Sequence, residues 1–149
     1  VVLAKAIAGG IPMGAVVCRE DIRPPVGLHG STFGGNPLAC AAGLASIGVM
    51  EELDLANVAS EKGTYLLNRL AGIASPLIRE IRGRGLMIGM ELKQKAKPVI
   101  DRLSDRGVLV LPAGPRVIRL LPPLIIPTNQ LDQVVETLDD VLGDLQHQQ

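Results

Sequence analysis

The apolar residues of this chain are almost entirely aliphatic, which limits the kind of core that it can build. Among 149 residues there are one Tyr, one Phe and no Trp, although 47% of the residues are hydrophobic and only 20% are charged. The core must therefore be formed by Val, Ile, Leu and Ala side chains. So large an apolar fraction also predicts that the chain buries surface against something beyond itself, such as a second copy or a further domain.

Charge and composition argue against several classes of partner. The 15 basic and 15 acidic residues cancel, so there is no electrostatic case for binding nucleic acid or an anionic membrane. The near absence of aromatic residues also removes the platforms on which bases stack. No apolar run approaches the ~20 residues that span a bilayer. Cys18 and Cys40 lack disulfide or metal-site spacing, and His29 alone argues against a metal site. We therefore expect a cytoplasmic protein.

The first part of the chain has the pattern of strands that end in a glycine- and proline-rich loop. Residues 1–4 and 15–18 are apolar runs typical of buried strands in a sheet covered on both faces. Residues 19–35 contain several glycines and prolines and predict a loop. Residues 36–53 predict a helix, since Asn suits the cap and Pro the first turn. Because the chain opens directly in a strand, we interpret it as the C-terminal portion of a longer polypeptide.

From residue 55 onward, predicted helices alternate with pairs of predicted strands. The helices are expected over residues 55–72, 96–106 and 129–145, and the strands over residues 79–82, 86–92, 108–111 and 117–121. Residues 83–85 predict a hairpin-like turn, and Gly107 predicts a helix end. This order predicts an α+β unit whose helices cover one face of a small sheet. Residues 147–149 are interpreted as a tail.

Lys5 is the first candidate for chemistry. It lies between an aliphatic run and a flexible segment of small residues, residues 6–15. At the end of a buried strand its ammonium would be partly desolvated, which favours the neutral, nucleophilic amine that forms Schiff bases. The glycines that follow allow a sharp turn and leave room for a flat ligand. The alternative is that Lys5 ends an edge strand and points into water.

A second candidate site precedes the first predicted helix, in residues 29–37, HGSTFGGNP. Ser31 and Thr32 supply two adjacent hydroxyls, and the helix N-terminus supplies unpaired backbone N–H groups that favour an anion. This arrangement suits a phosphate group. The alternative is an ordinary glycine-rich loop.

Arg119 is the third candidate. In the run VIRLL, alternation places its guanidinium between two apolar side chains. An arginine in such a place needs an anionic partner, and its planar fork fits the carboxylate of an amino acid or keto acid. The alternative is an internal salt bridge to Glu91 or Asp101. Arg82 and Arg84 flank a glycine of the predicted turn and are interpreted as solvated turn residues.

Three segments, in the right order, resemble a known family. Residues 3–15, LAKAIAGGIPMGA, are similar to the cofactor-lysine segment of class III aminotransferases, the group that includes ornithine and acetylornithine aminotransferases. Residues 29–39, HGSTFGGNPLA, resemble the family's phosphate loop, and residues 117–124, VIRLLPPL, resemble its carboxylate-binding strand. Residues 78–92 and 113–115 look closest to acetylornithine aminotransferases and to lysine-biosynthetic enzymes that act on a carrier-protein-linked substrate.

The resemblance implies an α/β fold in two parts. Residues 1–54 would be the C-terminal part of the pyridoxal-phosphate-binding large domain of a fold-type I transferase. Residues 55–149 would be the small α+β C-terminal domain. The family's N-terminal part would supply the aromatic that stacks on the pyridine ring, the Asp that pairs with the ring nitrogen and the glycine-rich half of the phosphate site. We therefore expect the present polypeptide to be inactive by itself.

The resemblance also implies a role for each candidate residue. Lys5 would bind pyridoxal 5'-phosphate covalently, release it to the incoming amine and then carry a proton between substrate and cofactor. Thr32, with Ser31 beside it, would hold the cofactor phosphate of the neighbouring subunit, so that the active sites of a homodimer would be shared. Arg119 would bind the α-carboxylate of the amino acid and of 2-oxoglutarate or glutamate.

The activity implied for the full-length parent is amino-group transfer in arginine or lysine biosynthesis. The substrates would be an acetylornithine-like or carrier-linked lysine compound and 2-oxoglutarate or glutamate, and an amino-group carrier protein would be a further partner. The alternatives are an ornithine or 4-aminobutyrate aminotransferase, and a noncatalytic dimerisation module that uses its apolar face without a cofactor.

Overall fold

The chain forms two compact units, one over residues 1–54 and one from Leu55 onward. The computed structural model describes residues 1–146, so the tail proposed for residues 147–149 lies outside the described residues. No helix within the described range is both long and apolar enough to cross a membrane.

The first unit combines a small strand pair with a long helix. Strands β1 (Val2–Leu3) and β2 (Ala15–Val16) pair in an antiparallel manner. A 3₁₀ turn (Lys5–Ala8) follows β1, and helix α1 (Pro37–Glu52) follows a long loop. The chain therefore reverses direction between the two strands, directly after the position of the candidate lysine.

Helix α1 begins as the sequence predicts. The Asn36 side chain accepts a hydrogen bond from the Ala39 N–H at 3.0 Å, and Pro37 occupies the first turn. Gly43 is buried, and a Cβ placed there would lie 3.0 Å from Sδ of Met13. Glycine at this position therefore lets α1 pack closely on the segment between β1 and β2.

Most apolar side chains of the first unit are exposed, which corrects the expectation of buried strands. Val2 is 76% exposed and Val16 is 67% exposed. The reason is that a two-stranded sheet needs another layer to cover its faces, and this unit provides none for them. Large apolar side chains of helix α1 and of the residue directly after it are also exposed, namely Leu38, Leu44, Ile47, Val49, Met50 and Leu53. Apolar surface of this extent is typical of surface that another part of a protein covers.

The second unit has the predicted order of helix, two strands, helix, two strands, helix. Its elements are α2 (Leu55–Ala71), β3 (Ile78–Arg84), β4 (Met87–Leu92), α3 (Lys97–Asp105), β5 (Leu111–Pro112), β6 (Val117–Leu120) and α4 (Thr128–Gln146). The strands form one antiparallel sheet in the order β3-β4-β6-β5. The prediction of an α+β unit is therefore confirmed.

The core of the second unit lies on one face of this sheet. Alternate side chains of β4 and β6 pack against the three helices, and the fully buried members include Ile88, Met90, Leu92, Ile118, Leu66, Leu70, Val99, Leu103, Leu138 and Leu142. The core is aliphatic as predicted, with Met90 added. Each buried Leu or Ile contributes about 1.5–3 kcal/mol. The opposite face of the sheet carries the charged Glu91 and Arg119, together with Gly89 and Val117.

One strand begins later than predicted. The sequence predicts a strand over residues 108–111, but β5 covers Leu111–Pro112. Helix α3 ends in a Schellman motif, in which Gly107 has φ 81° and the Val108 N–H donates to the Leu103 carbonyl at 2.8 Å. The backbone of Val108 is thus committed to the helix end and cannot join the sheet. The predicted helix end at Gly107 is confirmed.

Strands β3 and β4 form a hairpin whose turn touches α2. The turn residues are Gly85 and Leu86, slightly later than predicted, and Gly85 has φ 53°. Gly63 of α2 faces this turn, and a Cβ added there would lie 2.2 Å from the Gly85 carbonyl oxygen. No side chain fits in this space. Glycine at position 63 therefore sets the distance between the helix and the hairpin.

We expect Gly63→Ala to destabilise the second unit by about 3 kcal/mol, because the added methyl overlaps the backbone of Gly85. Gly143→Ala is the matched control, since a Cβ on this α4 residue meets nothing within 4 Å. The control should be neutral or stabilising by up to ~1 kcal/mol, because alanine favours a helix. Urea unfolding measures both values, and equal stabilities would show that the helix yields to the methyl group.

Candidate active site

Lys5 begins the 3₁₀ turn in a backbone conformation that lysine rarely adopts. Its φ is 62°, in the left-handed region, which costs a residue with a side chain about 1–2 kcal/mol. Strain of this kind clusters at functional sites. The side chain is exposed and makes no hydrogen bond or ion pair within residues 1–146. The structure therefore fixes the backbone of Lys5 and leaves its amine free.

The predicted desolvation of Lys5 is not seen in this unit. Both residues of β1 are exposed, so Lys5 does not follow a buried strand. The exposure of Lys5 in this unit therefore agrees with the alternative, in which the lysine points into water. The predicted turn at the glycines is confirmed, since Gly9 and Gly10 have φ of 58° and 107° and turn the chain directly after the 3₁₀ segment. The room that they would leave for a flat ligand stays a prediction.

Ser31 and Thr32 are both exposed in the loop before α1, but their hydroxyls differ in bonding. Ser31 Oγ accepts a hydrogen bond from the Gly34 N–H at 3.0 Å. A Cβ on Gly34 would lie 2.9 Å from Cβ of Ser31, so this turn requires glycine. Thr32 makes no side-chain hydrogen bond within the described part of the chain. Of the two hydroxyls, that of Thr32 is the more available to a ligand.

Helix α1 connects this loop to the segment that carries Lys5. The helix starts directly after the loop, and its Gly43 packs against Met13, beyond the turn that Lys5 begins. Among the residues that the structure describes, no hydrogen bond joins Lys5 to Ser31 or Thr32. The first unit therefore holds these three candidates on one packed scaffold without direct bonds between their side chains.

Arg119 lies on the open face of the sheet in the second unit. Along β6, Ile118 and Leu120 are buried in the core, whereas Val117 and Arg119 are half-buried on the other face. The Nε of Arg119 is buried and has no hydrogen-bond partner among the described residues. A buried donor without a partner costs about 1–3 kcal/mol. The hydrogen-bonding capacity of the Arg119 Nε is therefore unused within the described residues.

Neither carboxylate considered as an internal partner pairs with Arg119. Asp101 pairs with a lysine of its own helix at 2.8 Å. Glu91 accepts hydrogen bonds from two arginines of β3, Arg79 and Arg82, each at 3.1 Å. The alternative of an internal salt bridge to Arg119 is therefore wrong for both carboxylates, since the ion pairs of each, within residues 1–146, are with other residues.

Arg82 is not the solvated turn residue that the sequence predicts. It lies within β3 and donates to Glu80 at 2.8 Å in addition to Glu91. The bond from Arg82 is the main cause that holds the pKa of Glu91 below its usual range, and Arg79 adds to the effect. Arg84 is also a strand residue, exposed and without an ion pair in the described range. The correct hairpin register would have revealed the pairing of Arg82 with Glu91.

The candidate residues divide between the two units. Lys5, Ser31 and Thr32 belong to the first unit, and Arg119 belongs to the second. His29 is exposed in the loop before α1. Within residues 1–146, no group of three or more His, Cys, Asp or Glu side chains is arranged to hold a metal ion. The features available for chemistry are thus a free amine, a free hydroxyl and a guanidinium that lacks an acceptor.

Comparison with known proteins identifies a family and several relatives. Residues 1–142 match the family model described as aminotransferase class III. A [LysW]-aminoadipate semialdehyde transaminase of Deinococcus radiodurans is 51% identical over 146 residues, which are 96% of this chain and 34% of the relative. An acetylornithine aminotransferase of Methanosarcina mazei is 47% identical over 137 residues, 92% of this chain and 35% of the relative. The chain spans about a third of the length of these relatives.

Solved structures show the same likeness. An ornithine aminotransferase of Toxoplasma gondii has a TM-score of 0.88 at 33% identity, covering 99% of this chain and 37% of that one. An acetylornithine aminotransferase of Elizabethkingia anophelis has a TM-score of 0.86 at 32% identity, covering 96% of this chain and 40% of that one. These findings confirm the predicted fold class and the resemblance carried by the three segments. The chain belongs to the class III aminotransferase family.

Proposed function

We propose that the chain is part of a pyridoxal-phosphate-dependent aminotransferase of amino-acid biosynthesis, in which Lys5 binds the cofactor. The observation that carries the proposal is the exposed, unpaired Lys5 amine on a strained backbone, within the segment that resembles the family's cofactor lysine. Relatives named as aminotransferases support it. A Toxoplasma gondii ornithine aminotransferase structure is described with partial occupancy of pyridoxal phosphate at its active site, which supports the choice of cofactor.

The residues of this chain fit pyridoxal phosphate chemically. Lys5 offers a primary amine, the group that condenses with an aldehyde. Thr32 offers a hydroxyl just before the N-terminus of α1, where the helix dipole favours a phosphate. When bound, the cofactor supplies an aldehyde that captures amino groups and a conjugated ring that withdraws electrons from the reacting carbon.

Each candidate residue has one task in this proposal. Lys5 Nζ anchors the cofactor and, once released, moves the proton at the reacting carbon of the substrate. Thr32, with Ser31 beside it, holds the cofactor phosphate of a neighbouring subunit. Arg119 binds the α-carboxylate through two parallel hydrogen bonds and so orients the bond that is broken. The unpaired Nε of Arg119 supports the last role, since a bound carboxylate would supply the missing acceptor.

We also propose a cytoplasmic homodimer with shared active sites. The exposed aliphatic side chains of the first unit support the dimer, because a second subunit would cover apolar surface of this kind. The free Cys18 and Cys40 are compatible with a reducing compartment. The division into two compact units supports the assignment of residues 1–54 to the large, cofactor-binding domain and of the remainder to the small domain.

The proposed substrates are an acetylornithine-like or carrier-linked lysine compound and 2-oxoglutarate or glutamate, in arginine or lysine biosynthesis. The relatives from Methanosarcina mazei and Deinococcus radiodurans carry names that support these two substrates. If the substrate is the carrier-linked compound, an amino-group carrier protein is a further proposed partner. An ornithine aminotransferase is the second candidate, since a relative of that name from Exiguobacterium is 45% identical over 145 residues.

Borohydride reduction should fix pyridoxal phosphate on Lys5 in the full-length parent. After loading, reduction and digestion, mass spectrometry should find the pyridoxyl group on the peptide that contains Lys5. Lys5→Ala should lose this label and the visible absorbance band of the bound cofactor, because both depend on the amine. Lys95→Ala, which removes an exposed lysine of the second unit, should keep both. A label on another side chain, or none, would reject the assignment and favour a noncatalytic module.

Arg119→Lys should raise KM for both the amino acid and the 2-oxo acid by about tenfold, because an ammonium cannot make two parallel hydrogen bonds to a carboxylate. Steady-state kinetics of the full-length parent, with each substrate varied in turn, measure the change. Arg116→Lys is the matched control, since Arg116 is exposed just before β6. Equal effects of the two substitutions would contradict the role given to Arg119.

The 149-residue chain by itself should show no turnover with pyridoxal phosphate, acetylornithine and 2-oxoglutarate. The reason is that the resemblance places the ring-stacking aromatic and the Asp for the ring nitrogen outside this chain, and without that Asp the ring is a poor electron acceptor. Formation of glutamate measures the reaction, and the full-length parent serves as the positive control. Glutamate produced by the chain alone would contradict this expectation.

A further inference from the structure

We propose that Gly43 is a positioning residue for the cofactor lysine, because it lets helix α1 lie directly against the 3₁₀ turn that carries Lys5. The inference rests on the proposed function of Lys5 and extends it to a residue that acts through this lysine. Three observations carry it: the burial at the contact, the space around Gly43 and the weak constraints on both sides of the turn.

The contact between α1 and the 3₁₀ turn is where the first unit buries residues by itself. The structure describes all of residues 1–54, and three of them are buried, namely Ala8, Ala39 and Gly43. Ala8 is the last residue of the turn that Lys5 begins, and Ala39 and Gly43 lie one helical turn apart on α1. Because this chain supplies both sides of the contact, the contact does not depend on a surface from outside the chain.

A side chain at position 43 would meet the turn and the segment after it. A Cβ there would lie 3.0 Å from Sδ and 3.4 Å from Cε of Met13, and 4.0 Å from the Ile7 carbonyl oxygen. The end of the half-buried Met13 side chain can yield to a methyl group, since methionine is unbranched and flexible. Ile7 belongs to the turn, so its carbonyl moves only with the turn. A side chain longer than a methyl group therefore requires a shorter residue 13 or a displaced turn.

Within residues 1–54, the other connections of the turn constrain its position less than α1 does. Before the turn lies β1, whose two residues are exposed and pair with the equally short β2. After the turn, Gly9 and Gly10 have positive φ and no side chain to pack. The Gly9 N–H donates to the Ala6 carbonyl at 3.0 Å, which preserves the shape of the turn but not its place. Helix α1 is thus the element against which the turn is positioned.

The position of Lys5 matters because its amine is proposed to move a proton at the reacting carbon of the substrate. Proton transfer requires hydrogen-bond distance, and a displacement of about 1 Å can cost on the order of 10²-fold in rate. The substrate carboxylate is assigned to Arg119, which belongs to the second unit. Movement of the turn should therefore lower kcat and leave KM for both substrates nearly unchanged.

Gly43→Leu in the full-length parent, loaded with pyridoxal phosphate, tests the proposal. We expect kcat to fall about tenfold, less than the factor for a full 1 Å displacement. Gly43→Ala should lower kcat by less, because Met13 yields to a methyl group. The matched control combines Gly43→Leu with Met13→Ala. It carries the same leucine but provides the space for it, so it should recover most of the lost kcat.

A Lys5→Ala background separates positioning of the lysine from general damage to the fold. In this background, added methylamine serves as the external base, and the methylamine-dependent rate is measured. Gly43→Leu should change this rate by less than about twofold, because the residue through which Gly43 acts is gone. An equal loss in both backgrounds, or an unchanged kcat when Lys5 is present, would overturn the proposal.

Crystal structures of the full-length parent and its variants give a readout that does not depend on activity. In Gly43→Leu, the Cα of Lys5 should lie farther from α1 than in the parent, and in the double variant it should return. An unchanged position of Lys5 in Gly43→Leu would also overturn the proposal. A parent in which borohydride reduction labels another side chain would instead contradict the proposed function, and the crystal structures would still decide whether Gly43 positions the turn.

Discussion

The alternation of side chains along β4 and β6 is the constraint on which the second unit depends. Met90 of β4 and Ile118 of β6 point into the aliphatic core beneath three helices. The residues next to each of them along its own strand must therefore face the other way. That second face receives Glu91 and Arg119. The packing that stabilises the unit therefore also fixes the strand positions of its charged residues. A register slip of one residue would move the arginine into the core and the core residues into water.

Local signals explain which parts of the fold and site could be predicted from the sequence. The cap at Asn36 and the helix end at Gly107 depend on a few neighbouring residues, and alternation alone places Arg119 on the face away from the core. The partners of Glu91 were missed because they depend on the hairpin register, which a turn at Gly85 sets slightly later than expected. Pairing between charged side chains is decided by tertiary placement, which local sequence does not contain.

The first unit shows a different limit. Apolar runs around Val2 and Val16 favour burial, yet both are exposed, because burial requires a covering surface as well as an apolar strand. The same reasoning applies to Lys5, whose solvation depends on what lies around it. Its left-handed φ, in contrast, is a property of its own short segment. The chain therefore carries the conformation of the candidate nucleophile within itself, while the environment that would tune its reactivity has to come from other surfaces.

The contact between Gly63 and Gly85 sets this hairpin apart from an ordinary surface turn. Loops at protein surfaces commonly accept insertions and deletions. Here the backbone of the turn lies against the helix with no room for even a methyl group. A longer loop at this point would lift α2 from the sheet and open the core to water. Inserted residues at this turn should therefore destabilise the second unit, whereas an ordinary surface loop would accept them.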